Sequence, residues 1–194
     1  MINSNNYIYT NKGILSVIEL YTIYQSKLTD NTIVLPKVMT YDLDNFNYEF
    51  TDISTMNKTD IEENYVHIYE VKITDVFSNR TVTLNCTGDT QLLQYNVIAT
   101  DTYPIANKFI GVNKYLEGNK NRSKINIGWK SIGDLRNYAN QMPCISLGDT
   151  VTKYVSRLYK KQEIGYSILN SNGDSIPIFC CMNNSTFYNF ILIK

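Results

Sequence analysis

The sequence predicts a mostly-β single domain made of two pseudo-symmetric halves with two short helices. Most apolar runs are short and rich in Ile, Val, Tyr and Thr, residues that suit a pleated, half-buried surface. Helical periodicity is confined to two stretches. One phrase is also written twice. Gly13-Ile14-Leu15-Ser16-Val17-Ile18-Glu19-Leu20 aligns with Gly128-Trp129-Lys130-Ser131-Ile132-Gly133-Asp134-Leu135, as G-x-x-S-(V/I)-x-(E/D)-L.

In chain order, the apolar runs predict strands near Tyr7–Thr10, Thr32–Leu35, Lys37–Asp42, Tyr48–Ile53, His67–Val76, Thr81–Asn85 and Leu92–Tyr95. Further strands are expected near Ile125–Ile127, Thr150–Val155, Tyr166–Asn170, Ser175–Cys180 and Phe187–Ile193. Ser78-Asn79-Arg80 reads as a hairpin turn, and Asn172-Gly173 as a type I′ turn. Ile14, Val17, Ile18 and Tyr21 mark one face of a helix over Ile14 to Tyr24. A second helix is expected over Ser131 to Gln141, with Ser131 as N-cap and Asp134 three residues on. Residues 96–124 are polar and aperiodic and read as a long connection or insertion within the single domain 1–194.

The repeat extends beyond the opening phrase. Leu35 to Thr40 resembles Leu147 to Thr152, and the hairpin Val71 to Cys86 resembles Tyr166 to Cys180, matching Cys86 with Cys180. Neither half can bury its apolar face alone; two halves facing each other across a pseudo-twofold bury both.

Bulk composition narrows the function. The 194 residues suffice for a sizeable core, and 43% hydrophobic with 19% charged residues is ordinary for a folded chain. Eighteen basic side chains balance eighteen acidic ones, leaving no excess to neutralise phosphates, so no nucleic-acid partner is expected. No apolar run reaches membrane-span length, and "MINSNN" has neither the basic region nor the apolar core of a signal peptide. The expected setting is therefore the host-cell cytoplasm, with no membrane partner. Heavy use of Asn, Ile, Tyr and Lys is what AT-rich coding produces, and it suggests a phage or an AT-rich bacterium.

Cys86, Cys144, Cys180 and Cys181 form no C-x-x-C pair, and His67 is the one histidine, so neither a metal nor another cofactor is expected. The acidic stretches Tyr41 to Asp44 and Asp60 to Glu63 match no calcium-loop spacing and read as solvated loops. The sixteen tyrosines serve as amphipathic packing residues on strands, or else as a glycan- or peptide-binding surface.

Asn5 to Leu20, Val38-Met39-Thr40-Tyr41-Asp42, Val82 to Leu93 and Gly128 to Val151 occur in an order that resembles the Hint superfamily of Hedgehog autoprocessing domains and inteins. Tyr188-Asn189-Phe190-Ile191 resembles the superfamily's closing H-N-F-(I/V/L) strand. The resemblance spans nearly the whole chain. It implies a compact β-fold and, in active members, an N-to-S acyl shift begun by a thiol or hydroxyl. Here the nucleophile position falls near Met1 or Ile2, neither of which can attack, and Ser4 is the hydroxyl nearby. The T-x-x-H motif becomes Thr87-Gly88-Asp89-Thr90, so its Thr is kept and Thr90 replaces the His, which a hydroxyl cannot replace as a general acid. Tyr188 stands in place of the closing His before Asn189, and the terminal His-Asn pair of inteins has no counterpart.

The resemblance therefore implies a degenerate, non-enzymatic Hint-fold module with structural or interaction partners among other proteins, such as virion or assembly components. Thr87, Thr90, Tyr188 and Asn189 mark its vestigial motif positions. The alternatives are residual autoproteolysis through Ser4 or Cys86 with Thr87, and a Tyr-rich β-module that binds glycan or peptide.

Overall fold

The structure, a computed structural model, describes residues 1–42, 45, 47–59, 66–75, 81–97, 125–134, 140–146, 149–182 and 190–194. The first half of the chain holds β1 (Ile2–Asn3), β2 (Tyr7–Thr10), β3 (Gly13–Ser16), α1 (Val17–Thr29), β4 (Val38–Asp42), β5 (Asn47–Thr51) and β6 (Thr55–Lys58). The long hairpin of β7 (Val66–Asp75) and β8 (Thr81–Thr87) leads to β9 (Gln91–Val97) and β10 (Ile125–Ser131). A 3-10 turn (Ile132–Asp134) precedes β11 (Asn140–Ser146), β12 (Asp149–Glu163), β13 (Gly165–Leu169), β14 (Ile178–Cys181) and β15 (Ile191–Ile193). These strands pair antiparallel and join into one hydrogen-bonded network. No helix among the described residues is long and apolar enough to cross a membrane.

Ser16 decides where the first helix begins. Its hydroxyl accepts the Glu19 N–H at 3.3 Å, while the Glu19 carboxylate accepts the Ser16 N–H at 2.7 Å. This reciprocal capping box satisfies two backbone donors that would otherwise lack partners. The helix therefore starts at Val17 and not at Ile14, because residues 13–16 pair with β2. Gly13, at φ 109°, supplies the left-handed turn between the two strands. Val17, Leu20 and Tyr24 face the core.

Of the second expected helix, Ile132–Asp134 form a 3-10 turn and Asn140 and Gln141 are extended, while residues 135–139 lie outside the described ones. The Ser131 hydroxyl donates to the Gly88 carbonyl at 3.1 Å, and the Gly133 N–H reaches the same oxygen at 2.7 Å. Ser131 is thus committed to a neighbouring loop, and Asn140 and Gln141 pair with β12 in an extended ladder. A side chain at Gly133 would place its Cβ 3.1 Å from the Gly88 oxygen, so this approach requires a small residue.

Other expectations shift in detail. Residues 33–37 are irregular, with Leu35 buried, so the strand over Thr32–Leu35 does not form. β1, β3, β6 and β11 are strands without a matching apolar run, and β12 is far longer than its apolar run. Asn96 and Val97 belong to β9, opposite Asn126 and Ile125, and not to the expected connection; residues 98–124 lie outside the described ones. The turn at Asn172-Gly173 moves one residue earlier. Gly173 N–H donates to the Asn170 carbonyl at 3.1 Å, and Gly173 follows the turn at φ 83°. The Asn170 side chain draws it there by accepting the Asn172 and Asp174 N–H groups, each at 2.9 Å.

The two halves meet on a pseudo-twofold axis. β3, β2, β14, β15, β9 and β10 lie in that order, each paired with the next. Ile8 pairs with Cys180, and the matching pair on the other side is Leu92 with Ile193. The axis therefore passes through the Phe179–Leu192 pair. Cys180 corresponds by position to Ile193, and the sequence match of Cys86 with Cys180 is one of residue type only. Phe179, Cys180, Phe190, Ile191 and Leu192 fill the centre of the core at 0–1% exposure. That centre is dry on both faces of β14, which is why two adjacent cysteines are tolerated there.

Candidate functional site

The site grows out of the same symmetry. β1 and β8 pair antiparallel at Ile2 and Cys86. On one side of this pair, Asn6 N–H bonds the Asn3 carbonyl at 3.2 Å; on the other, Thr90 N–H bonds the Thr87 carbonyl at 3.2 Å. Val17 N–H meets the Asn6 carbonyl at 2.8 Å, and Ile132 N–H meets the Thr90 carbonyl at 2.8 Å. Residues 1–7 and 85–91 are thus two copies of one turn. In the first copy the Asn6 side chain holds the backbone of Asn85, donating to its carbonyl at 2.6 Å and accepting its N–H at 3.1 Å. In the second copy Thr90 holds the backbone of Met1.

The Thr90 hydroxyl donates to the Met1 carbonyl at 2.8 Å and accepts from the Met1 ammonium at 3.1 Å. Thr87 adds its N–H to the same carbonyl at 2.9 Å. The Thr87 hydroxyl accepts from the Met1 ammonium at 2.8 Å and also lies 3.1 Å from the carbonyl. A hydroxyl carries one proton, and that of Thr87 goes to the Asp89 carboxylate, the strongest acceptor in reach. Asp89 stands 3.8 Å from the ammonium, closing the network. Thr87 and Thr90 are buried, at 5% and 2% exposure. The motif positions Thr87 and Thr90 are therefore brought together around residue 1.

The nucleophiles are not. Cys86 is fully buried in a β-ladder, and burial pushes its thiol up to about 12, against the lowering effect of the nearby ammonium and Thr90. It is a protonated thiol at neutral pH. Ser4 turns its hydroxyl to the Asn3 side chain at 3.5 Å. Burial, with Cys181 and Cys86 close by, holds the Cys180 thiol well above its usual range. Tyr188 and Asn189 lie outside the described residues, as does the His67 side chain. Among the described residues no three His, Cys, Asp or Glu side chains gather as a metal site would require. Of the tyrosines whose side chains are described, only Tyr48 is exposed, at 36%, and it packs on Tyr41 and Phe179. No exposed aromatic cluster forms among them.

Two participants carry no signal of their role in the sequence. Asp89 sits inside the motif at a position to which the resemblance gives no task, and Met1 reads there as a position lacking a nucleophile and not as a ligand. Asp89 yields a test. Partial burial raises its pKa, but the Thr87 hydroxyl and the Met1 ammonium outweigh this and hold the carboxyl below its usual value. A carboxyl depressed on folding stabilises the protein above its unfolded pKa of about 3.9, and that contribution fades as pH falls through the folded value. Thermal melts should therefore show native protein more stable than Asp89→Asn at pH 6, with the gap closing below about pH 4. A gap independent of pH would show that the carboxylate charge is not used.

The far end of the chain reaches the same place. Gln91 and Lys194 exchange backbone hydrogen bonds of 2.7 and 2.9 Å. A cleft lined by Met1, Ile2, Thr90, Ile176, Ile178 and Ile193, among others, opens beside them.

No family model and no curated protein matches the chain. Solved structures do. A bacterial intein-like domain from Clostridium thermocellum superimposes with a TM-score of 0.55 at 10% identity, covering 99% of this chain and 96% of that one. A splice-inactive variant of the AceL class 3 split intein gives a TM-score of 0.51 at 8% identity, over 99% of this chain and 95% of the other. The chain has the Hint-type, intein-like fold over nearly its whole length.

Proposed function

We propose that this Hint-fold chain is a non-catalytic structural or interaction module whose partners are other proteins. The observation that carries this reading is the content of the Met1 site. The carbonyl that a residue-2 nucleophile would attack is held by Thr87 and Thr90, yet residue 2 is Ile and the motif's histidine position is Thr90. A branched alkyl side chain cannot attack, and a neutral hydroxyl cannot protonate a leaving amide nitrogen near neutral pH. Ile18, Leu28 and Val34 present apolar surface on α1 and the loop after it, at 45%, 61% and 80% exposure. The AT-rich residue usage supports a phage setting, in which the partner is a virion component.

One observation favours residual self-processing. The Met1 carbonyl draws donors from both Thr87 and Thr90, as an oxyanion site would. Intact mass separates the two readings. The chain is expressed with a short extension at each end and incubated with and without a strong thiol. We expect one unchanged mass under both conditions. Loss of either extension at a single peptide bond overturns the non-catalytic reading and locates the nucleophile.

A further inference from the structure

Asn172-Gly173 is the only Asn-Gly step in the chain, and it stands open to solvent. Ser171, Asn172, Gly173, Asp174 and Ser175 are all exposed, and a Cβ placed on Gly173 would meet no atom within 4 Å. No side chain at residue 173 shields the Asn172 amide from the backbone nitrogen that follows it. One neighbour holds that nitrogen in place. The Asn170 carbonyl accepts the Gly173 N–H at 3.1 Å, and the Asn170 side-chain oxygen accepts the N–H groups of Asn172 and Asp174, each at 2.9 Å. The Asn170 N–H closes the turn on the Asp174 carbonyl at 2.9 Å. The N–H groups of Asn172, Gly173 and Asp174 are thus all committed to Asn170.

We propose that Asn172 is a site of spontaneous deamidation whose rate Asn170 sets by holding the turn closed. Asn is among the chemically labile side chains, and glycine is the following residue that hinders attack least. The Gly173 nitrogen gives its proton to solvent and attacks the Asn172 side-chain carbonyl carbon. The bond from that carbon to the side-chain nitrogen breaks, ammonia leaves, and a succinimide ring remains. Water then adds to either ring carbonyl and opens the ring, leaving aspartate or isoaspartate at residue 172. While the Gly173 N–H is bonded to Asn170 its nitrogen is not free to attack, so the reaction runs through the opened turn. The product sets a carboxylate beside Asp174, and isoaspartate also adds a methylene to the main chain. Both changes fall just before Ile176 and Ile178, which wall the cleft beside Thr90.

The test incubates the full chain, Asn170→Ala, Asn170→Asp and an end-blocked synthetic peptide of residues 168–176 under one buffer and temperature. Peptide mapping by mass spectrometry, with an isoaspartate-specific methyltransferase, locates and counts the product. The free peptide should convert fastest and the native chain about tenfold more slowly, since its turn must first open. Asn170→Ala should convert about tenfold faster than the native chain, because two of the bonds that close the turn are gone. Asn170→Asp keeps an acceptor for both N–H groups and should stay within about twofold of native. Thermal melts report folding, and if Asn170→Ala is unfolded, the native and Asn170→Asp rates against the peptide carry the test. An Asn172 that stays intact in the native chain over many peptide half-lives, or conversion at another asparagine in its place, overturns the site. Equal rates for the native chain and folded Asn170→Ala overturn the role of Asn170.

Discussion

Replacing Asn6 by Ala should lower the unfolding free energy by about 2–5 kcal/mol, because it strips two buried backbone groups of partners at once. Asn6 is 0% exposed, and Asn85 is 4% exposed. The Asn6 amide group donates to the Asn85 carbonyl at 2.6 Å and to the Asn3 carbonyl at 3.0 Å, while its oxygen accepts the Asn85 N–H at 3.1 Å. Alanine offers neither donor nor acceptor, and water does not reach the site to replace it. Each orphaned group costs about 1–3 kcal/mol, and the empty volume adds to that. The melting temperature should fall by on the order of 10 °C. Asn6→Asp should be no better, since a second oxygen would then face two carbonyls. Urea unfolding of native protein and both variants measures this. A loss under about 1 kcal/mol for Asn6→Ala would mean that the Asn85 backbone finds other partners, and the equivalence with Thr90 would fail with it.

The fold was legible where side-chain chemistry repeats along the chain. The paired phrases at Gly13 and Gly128 mark real counterparts: each closes a hairpin and leads into a helical turn at a serine. The partner of each serine was not legible, because Ser16 meets Glu19 in its own helix whereas Ser131 meets Gly88, which is distant in sequence. β1 and β6 are short and polar, and they are strands only because β8 and β13 offer them edges. The equivalence of Cys86 with Ile2 was hidden for the same reason. It is written in backbone hydrogen bonds, and the residues concerned, Asn3-Ser4-Asn5-Asn6 and Thr87-Gly88-Asp89-Thr90, share almost no side-chain type. The site was half legible. Thr87 and Thr90 stand out from the motif, but the role of Asp89 depends on an amine that arrives from a segment distant in sequence.

Reinstating two side chains should restart the chemistry. With a short peptide placed before Met1, the double variant Ile2→Cys, Thr90→His should release that peptide together with Met1 when a strong thiol is added, while native protein releases nothing. The geometry assigns each role. The Met1 carbonyl already sits against the Thr87 N–H at 2.9 Å, so charge developing on its oxygen has a donor in place. A thiol on residue 2 would attack the Met1 carbonyl carbon, the bond to the residue-2 nitrogen would break, and the resulting thioester would yield to the added thiol. The departing nitrogen needs a proton, which imidazole supplies near neutral pH and a threonine hydroxyl does not; this step is worth about 10²–10⁴-fold. Ile2→Cys alone should therefore cleave at least about 100-fold more slowly than the double variant. The cost of the change is structural, since the Thr90 hydroxyl now bonds both the nitrogen and the carbonyl of Met1 and an imidazole in its place cannot reproduce this with one ring. Cleavage is followed by intact mass and folding by thermal melts on the same samples. A folded double variant that stays whole would place the loss of activity in the backbone of the site and not in its two missing side chains.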